Sequence, residues 1–498
     1  MYGVLGTFLV AAAAAAIANP PLFWLLLFAA AVFAALVLTY RHIVAASAVW
    51  LLVTGCTLEM SLGDLISPTA YQPIIAAVKG VGMALAGVAV LRFGAMPDPF
   101  NPGLAFMAMF LTGWAHGLHP GLTTADSIRS LIGSIAPFAF SFSRLSPAWS
   151  RAIIRTTAWT PLISVVIGAV LALAGIRPLF VNSGGARLAA LGHPAFLAGF
   201  ALAAIYAGLI ELYRDGRPQR LLLMGANAVI LVLTGARAPL LYGSAVVGLT
   251  LAFVPSPAFP RYRRIALLLG AAACLPLLAG LADSLASIRL FNVVTHEAGD
   301  LSGREELWPL FEHAAAESPW FGWGIGASNA IIPRSSDIVR YMHTWAAHNE
   351  YLRIEVEGGQ IGRALLIACF TLWCACHTRY LPRTDRIIIR LVFVAFACHA
   401  FTDNVLISTS ASVLFAFIAA VFARGRQETQ ATRNWLRPAR ISEVSHASLS
   451  ISAASARRAG ALPGSGGRLG IRDELRGRLD QPDRHDDGEG AAPHPGLA

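Results

Sequence analysis

In "AHNEYLRIEVEGGQIG", which begins at Ala347, His348 stands beside an asparagine and ahead of three glutamates and a pair of glycines. Imidazole exchanges a proton near pH 7, so His348 has the chemistry of a general base. A lone histidine is more often structural, and it needs company before it counts as a site. A zinc site is not expected, because His343 and His348 are five apart and point in different directions, unlike an i, i+4 ligand pair. Two arginines supply different chemistry. Arg237, in "LTGARAPLL", falls in a very short turn between apolar stretches, and Arg304 lies in "SGREELW". A charge held near hydrocarbon is costly and tends to mark function, although snorkelling to the interface would also account for Arg237. Guanidinium groups grip phosphate oxygens bidentately, so the pair suits a diphosphate. Arg187 and His193 in "ARLAALGHPAFLAGF" and Asp403 in "HAFTDNVL" also sit at the ends of apolar stretches.

The elements that position these residues follow from composition. The chain has 498 residues, 56% of them hydrophobic and 13% charged, with a mean hydropathy of +0.60. That is more apolar surface than a soluble core hides, so the expectation is an all-α polytopic transmembrane bundle of about 12–14 spans of roughly 20 residues. The stretch from Val4 to Ala18 has no basic segment before it and reads as a retained helix. Arginine sets the orientation, because short cytoplasmic loops carry the basic excess. Arg41, Arg92, Arg144, Arg151 and Arg155, then "YRDGRPQR", "RYRR", "RYLPRTDRIIIR" and "ARGRQ", fall on alternate connections. The other side then carries Arg187, His193, Arg237, a long loop from 284 to 360, and Asp403, with both termini inside. The net charge of +10 is on this reading an orientation signal and gives no nucleic-acid face. The six cysteines lie in hydrophobic segments and imply no disulfide framework. Lys79, the only lysine, falls within a span and has no assigned purpose.

The expected organisation is 1–175 as amino-terminal spans, 176–283 as central spans carrying Arg187, His193 and Arg237, 284–360 as the outside loop, 361–423 as the last spans, and 424–498 as a disordered cytoplasmic tail poor in large apolar residues. One span is expected over 127–143. Within the loop, Ser302 and Glu305 have capping-box spacing, and Pro309 is expected to kink the helix that starts there or cut it to a single turn. "GWGIG" at 322–326 lacks the flanking strand and helix of a dinucleotide fold and reads as a tight turn. The segment 347–357 reads as a helix ending at Gly358 and Gly359. His348, Tyr351, Leu352 and Glu355 would share one face, and Glu350 and Arg353 would form a solvated ion-pair set with Glu357 on another.

The succession "TGARAPLL", "SGREELW", "SPWFGWGIGAS" and "HNEYLRIEVEGGQIG" resembles the bacterial O-antigen ligase and polymerase family of membrane glycosyltransferases. The likeness runs from about Arg187 to Asp403. The resemblance implies an enzyme at the periplasmic face of the inner membrane that uses an undecaprenyl-diphosphate-linked glycan donor and a glycan or lipid-linked acceptor, with no cofactor and no metal, and works alongside other polysaccharide-assembly proteins. Arg237 matches the family's outside arginine after a span, Arg304 the arginine of its loop, and His348 the histidine before asparagine. Arg187, His193, Asn349, Glu357 and Asp403 are candidate supporting residues from the sequence itself. Pro309 and Ala195, where the "HP" segment often carries asparagine, depart from the family pattern.

The residue types fit inverting transfer. A sugar hydroxyl attacking an anomeric carbon expels a diphosphate, which needs charge stabilisation from arginine, while the hydroxyl must lose its proton to a base such as His348. A surface-polysaccharide polymerase is slightly preferred, a ligase transferring to lipid A-core is the alternative, and a transporter or flippase of lipid-linked sugars is the reading from another class.

Overall fold

The computed structural model describes residues 34–57, 71–182, 185–280, 304–333, 335–342, 344 and 346–459. Ser302 and His343 lie outside the described residues, as do the expected first span and the side chains of Arg304 and Glu305. The described chain is helical apart from short 3-10 turns and one small hairpin. The helices are α1 (Ala34–Arg41), α2 (Ile43–Gly55), α3 (Tyr71–Phe93), α4 (Pro102–His116), α5 (Thr124–Ile135), α6 (Pro147–Leu173), α7 (Pro194–Asp215), α8 (Pro218–Leu233), α9 (Arg237–Phe253), α10 (Arg261–Gly280), α11 (Arg304–Glu317), α12 (Asp337–Met342), α13 (Glu350–Thr378), α14 (Arg383–Ala400) and α15 (Thr409–Ala459). Between α6 and α7, β1 (Phe180–Asn182) pairs antiparallel with β2 (Ala186–Leu188), setting Val181 opposite Arg187.

By length and composition, five helices among the described residues can cross a membrane: α3, α6, α7, α13 and the first part of α15. A sixth follows if α1 and α2, bent by 104°, count as one broken span. Helix starts are written locally. Proline fills the first helical position of α4, α6, α7 and α8, where no backbone N–H is needed. Asn101, Thr123, Ser146, His193 and Asn349 cap α4, α5, α6, α7 and α13 through their side chains. The main core gathers around α7 and the first half of α15, where Phe415 and Phe422 meet Phe138, Phe370 and Trp373.

Residues 127–143 do not form the expected straight span. They divide into α5 and a 3-10 turn over Ala136–Phe142, because Ser127, Ser130 and Ser134 give α5 a polar side and Pro137 follows it. Ser127 donates 2.8 Å to the Ile325 carbonyl, so α5 supports the glycine-rich turn. The helix carrying Pro309 is also not cut short. α11 runs 14 residues through it, since a proline near a helix start costs only one intrahelical bond there. Leu307, Phe311, Ala314 and Ala315 of α11 then pack with Leu122, Ala347, Leu352 and Val356 as a second core.

The disorder expected from residue 424 is corrected as far as Ala459, and residues 460–498 lie outside the described residues. α15 continues to Ala459, and within the compact unit its residues 424–429 bond to neighbouring elements. Arg424 pairs with Glu211, Arg426 donates 2.7 Å to His377 Nδ1, and Glu428 bonds Arg214, which also holds Asp385. His377 reaches Asp98 as well, at 2.9 Å, so "CACH" at 374–377 is more than packing. Charged side chains and helix formers, rather than large apolar residues, order this stretch. The compact unit ends at Thr432. Residues Arg433–Ala498 form a second unit whose described part is the remainder of α15.

Candidate active site

His348 is not a helix residue, contrary to the sequence expectation. α13 begins at Glu350, Asn349 is its cap, and His348 sits just before with φ of 48°, in the left-handed region that few side chains occupy. It therefore shares no helical face with Tyr351. Both neighbours are anchored. Trp308 Nε1 of α11 donates 2.8 Å to the Ala347 carbonyl, and Asn349 Oδ1 accepts the Tyr351 and Leu352 N–H groups. Tyr351 donates its hydroxyl to the Ala397 carbonyl of α14 at 3.0 Å, tying the start of α13 to the neighbouring helix.

The imidazole bridges two groups. Nδ1 lies 3.0 Å from Asp403 Oδ1, and Nε2 lies 3.1 Å from Thr344 Oγ1. A carboxylate only accepts, so the bond to Asp403 puts a proton on Nδ1 and leaves the Nε2 lone pair facing Thr344. His348 and Asp403 are both partly open to solvent, at 30% and 35% exposed. Burial pushes the Asp403 carboxyl upward, but the hydrogen bond from His348, the His348 and His399 charges and the Asn404 N–H outweigh it and bring its pKa down to about 2. Asp403 is thus held as an anion.

His193 and Arg187 complete the same electrostatic neighbourhood. The surrounding protein, then the Arg187 guanidinium, depress the pKa of His193; Asp403 opposes them and His348 adds to them. His193 Nδ1 accepts the Ala195 N–H at 3.2 Å, so the ring is fixed as the cap of α7 and the missing asparagine at 195 is not needed for that cap. Arg187 Nε donates 2.8 Å to the Thr234 carbonyl, in the turn that delivers Arg237 to the first position of α9. Arg237 is exposed there. Arg304 is the first residue of α11, one turn ahead of the Trp308 that anchors Ala347.

The second glutamate face is corrected. Glu350, Arg353 and Glu357 are 2%, 3% and 1% exposed, a buried triad and not a solvated set. Arg353 Nε bonds Glu350 and its Nη1 bonds Glu357 at 2.7 Å, while the remaining oxygens accept the Leu406 N–H at 2.7 Å and the Ser328 hydroxyl at 2.6 Å. Each carboxylate is doubly satisfied, which is what makes burial tolerable. The Glu357 side chain thus bonds Arg353 and Ser328 and holds the turn that carries Ser328.

The helix break at the double glycine is present. Gly359 takes φ 62° and ψ −167° inside α13, and the residues around it exchange bonds with the 319–324 loop. Trp323 N–H donates to Val356, Gly324 N–H to Glu357, and Gln360 N–H to Pro319. Gly322, Gly324 and Gly326 all have positive φ, so "GWGIG" is a turn shaped to lie on the break.

Residues 221–367 match the family model described as O-antigen ligase. Over that stretch the chain is similar to O-antigen ligases. The matched stretch contains Arg237, Arg304, His348 and the break at Gly359, and leaves out Arg187, His193 and Asp403. It supports a membrane glycosyltransferase of the O-antigen ligase or polymerase type, acting on lipid-linked glycans. No curated protein matches the chain.

Thr344 was not foreseen as a neighbour of His348, and only its spacing of four hinted at it.

Proposed function

We propose that this protein transfers an oligo- or polysaccharide from undecaprenyl diphosphate to a sugar hydroxyl at the periplasmic face of the bacterial inner membrane, with inversion and without a metal. The observation that carries the reading is the Asp403–His348 pair at the end of the bundle where Arg187, His193 and the turn before Arg237 also gather. Asp403 keeps the proton on Nδ1, so Nε2 receives the acceptor's proton as its oxygen bonds to the anomeric carbon. The Thr344 hydroxyl, 3.1 Å from Nε2, marks where such a hydroxyl fits. The anomeric carbon–oxygen bond breaks on the opposite side and the diphosphate leaves with its negative charge, which Arg237 and Arg304 hold. Losing one such contact costs on the order of 3 kcal/mol in the transition state. A cavity of 430 Å³ between α13 and α14, lined by Tyr351, Ile354, Leu366, Phe370 and Phe396, runs from this end along the apolar helices and suits a lipid-borne substrate.

The test is the size of the glycan left on the lipid carrier when the host lacks this protein, with complementation by wild type and by His348→Ala. Single repeats on the carrier identify a polymerase, the reading we prefer, and long stranded chains identify a ligase. His348→Ala inserts normally and restores neither product. Full restoration by a correctly inserted His348→Ala would end the base assignment, and an unaltered profile in the deletion strain would count against glycosyl transfer.

A further inference from the structure

Lys79, which the sequence left without a purpose, lies in α3 within a stretch long and apolar enough to cross the membrane, and is 7% exposed. Its Nζ donates 2.8 Å to the Ile407 carbonyl. The preceding residue is held from the other side, its Leu406 N–H donating 2.7 Å to Glu350 Oε1. Both residues belong to the segment between α14 and α15 that carries Asp403. Backbone groups of two consecutive residues, three and four positions beyond Asp403, are thus fixed by charged side chains from α3 and α13.

The supports are themselves immobilised. Glu350 is gripped by Arg353, Arg353 by Glu357, and Glu357 by Ser328, so the bond to Leu406 belongs to a rigid chain reaching into the 3-10 turn Ala327–Asn329. Charge-assisted bonds in a low-dielectric setting are stronger than neutral ones and have narrower geometry. A cation buried in a span is costly and persists where it does a specific job. Glu350 bonds Arg353 and Leu406, and Lys79 bonds Ile407. What they share is the peptide segment on which Asp403 is mounted.

We propose that Lys79 and Glu350 are positioning residues for the Asp403–His348 pair: they fix the 406–407 backbone so that Asp403 stays in bonding range of Nδ1. This rests on the glycosyl-transfer reading above for its kinetic consequences, but not for its structural ones.

Lys79→Met is the informative variant, because it makes α3 more apolar and leaves insertion favourable, while Lys79→Arg restores a charged donor. In full-length protein in proteoliposomes supplied with a polyprenyl-diphosphate glycan, Lys79→Met lowers kcat by about 10- to 100-fold, the scale of a misplacement near 1 Å. KM for the donor stays within about twofold and Lys79→Arg recovers most of the loss. In an Asp403→Asn background Lys79→Met lowers kcat by less than about twofold, since there is no longer a carboxylate to position. Multiplying effects in the double variant, or a change confined to KM, would overturn the inference. Hydrogen exchange reads the mount without any transfer assay: Lys79→Met and Glu350→Gln accelerate exchange at the Leu406 amide and its neighbours, and unchanged protection in both variants would also overturn it. Absence of transfer by wild type together with accelerated exchange would reject the glycosyl-transfer reading and keep the mount.

Discussion

Replacing Asp403 by asparagine separates two things the carboxylate does for His348. The first is electrostatic. The drop of its pKa from an ordinary 3.8 to about 2 corresponds to about 2.4 kcal/mol of net favourable interaction with the ionised form. With 35% of the side chain exposed, screening leaves roughly half of that, close to a tenfold effect on a rate that develops positive charge on the imidazole. The second is tautomeric. An asparagine can donate its amide N–H to Nδ1, which moves the proton to Nε2 and removes the lone pair that takes the acceptor's proton. The same exchange beside a catalytic histidine elsewhere lowers kcat by about 10⁴. The expected loss is therefore well beyond tenfold, reaching about 10³ to 10⁴, measured as glycan transferred per unit time in proteoliposomes at saturating donor. The substitution also carries a pH signature. The folded chain binds the Asp403 proton less tightly than the unfolded chain, so the carboxylate contributes stability above about pH 4 that fades as pH falls toward 2. The difference in unfolding midpoint between wild type and Asp403→Asn should shrink over that window. Transfer within twofold of wild type would refute the argument that Asp403 sets the tautomer.

Two further outcomes follow from the same geometry. Gly359→Ala places a Cβ on the Trp320 carbonyl and the Phe321 nitrogen while forcing an L-residue into a glycine conformation, a cost of about 3 kcal/mol or more; a lowered unfolding midpoint and faster proteolysis at 319–324 would register it, and an unchanged midpoint would mean the break has slack. Arg237→Ala and Arg304→Ala should each weaken binding of the diphosphate donor by about 10- to 100-fold, the range of a lost charged hydrogen bond, and unchanged affinity in both would count against the clamp.

The sequence carried the residue identities of the site further than its shape. His348, Arg237 and Arg304 were candidates from residue type, spacing and the expected side of the membrane, and the matched stretch 221–367 contains all three. Asp403 was visible only as a polar end of a span, because its bond to His348 joins positions 55 apart in the chain and no local periodicity records it. The buried triad misled for a physical reason: glutamate and arginine at helical spacing look the same whether water or Ser328 and Leu406 complete their bonds. Residues 127–143 misled because apolar content alone does not separate a span from an amphipathic helix lying under a loop, where Ser127 finds a carbonyl partner in Ile325.

The backbone at His348 indicates what is being preserved there. A left-handed residue other than glycine costs about 1–2 kcal/mol, and glycine would adopt φ near 48° freely, as Gly322, Gly324 and Gly326 do with their own positive φ in the adjoining turn. The conformation is held by the Trp308 bond on one side and the Asn349 cap on the other, so the turn would form with glycine in the same place. What glycine cannot provide is a ring with one nitrogen on Asp403 and the other facing Thr344. The strain is therefore an expense the fold bears for the imidazole, and it is borne at the residue whose loss should abolish transfer while sparing insertion.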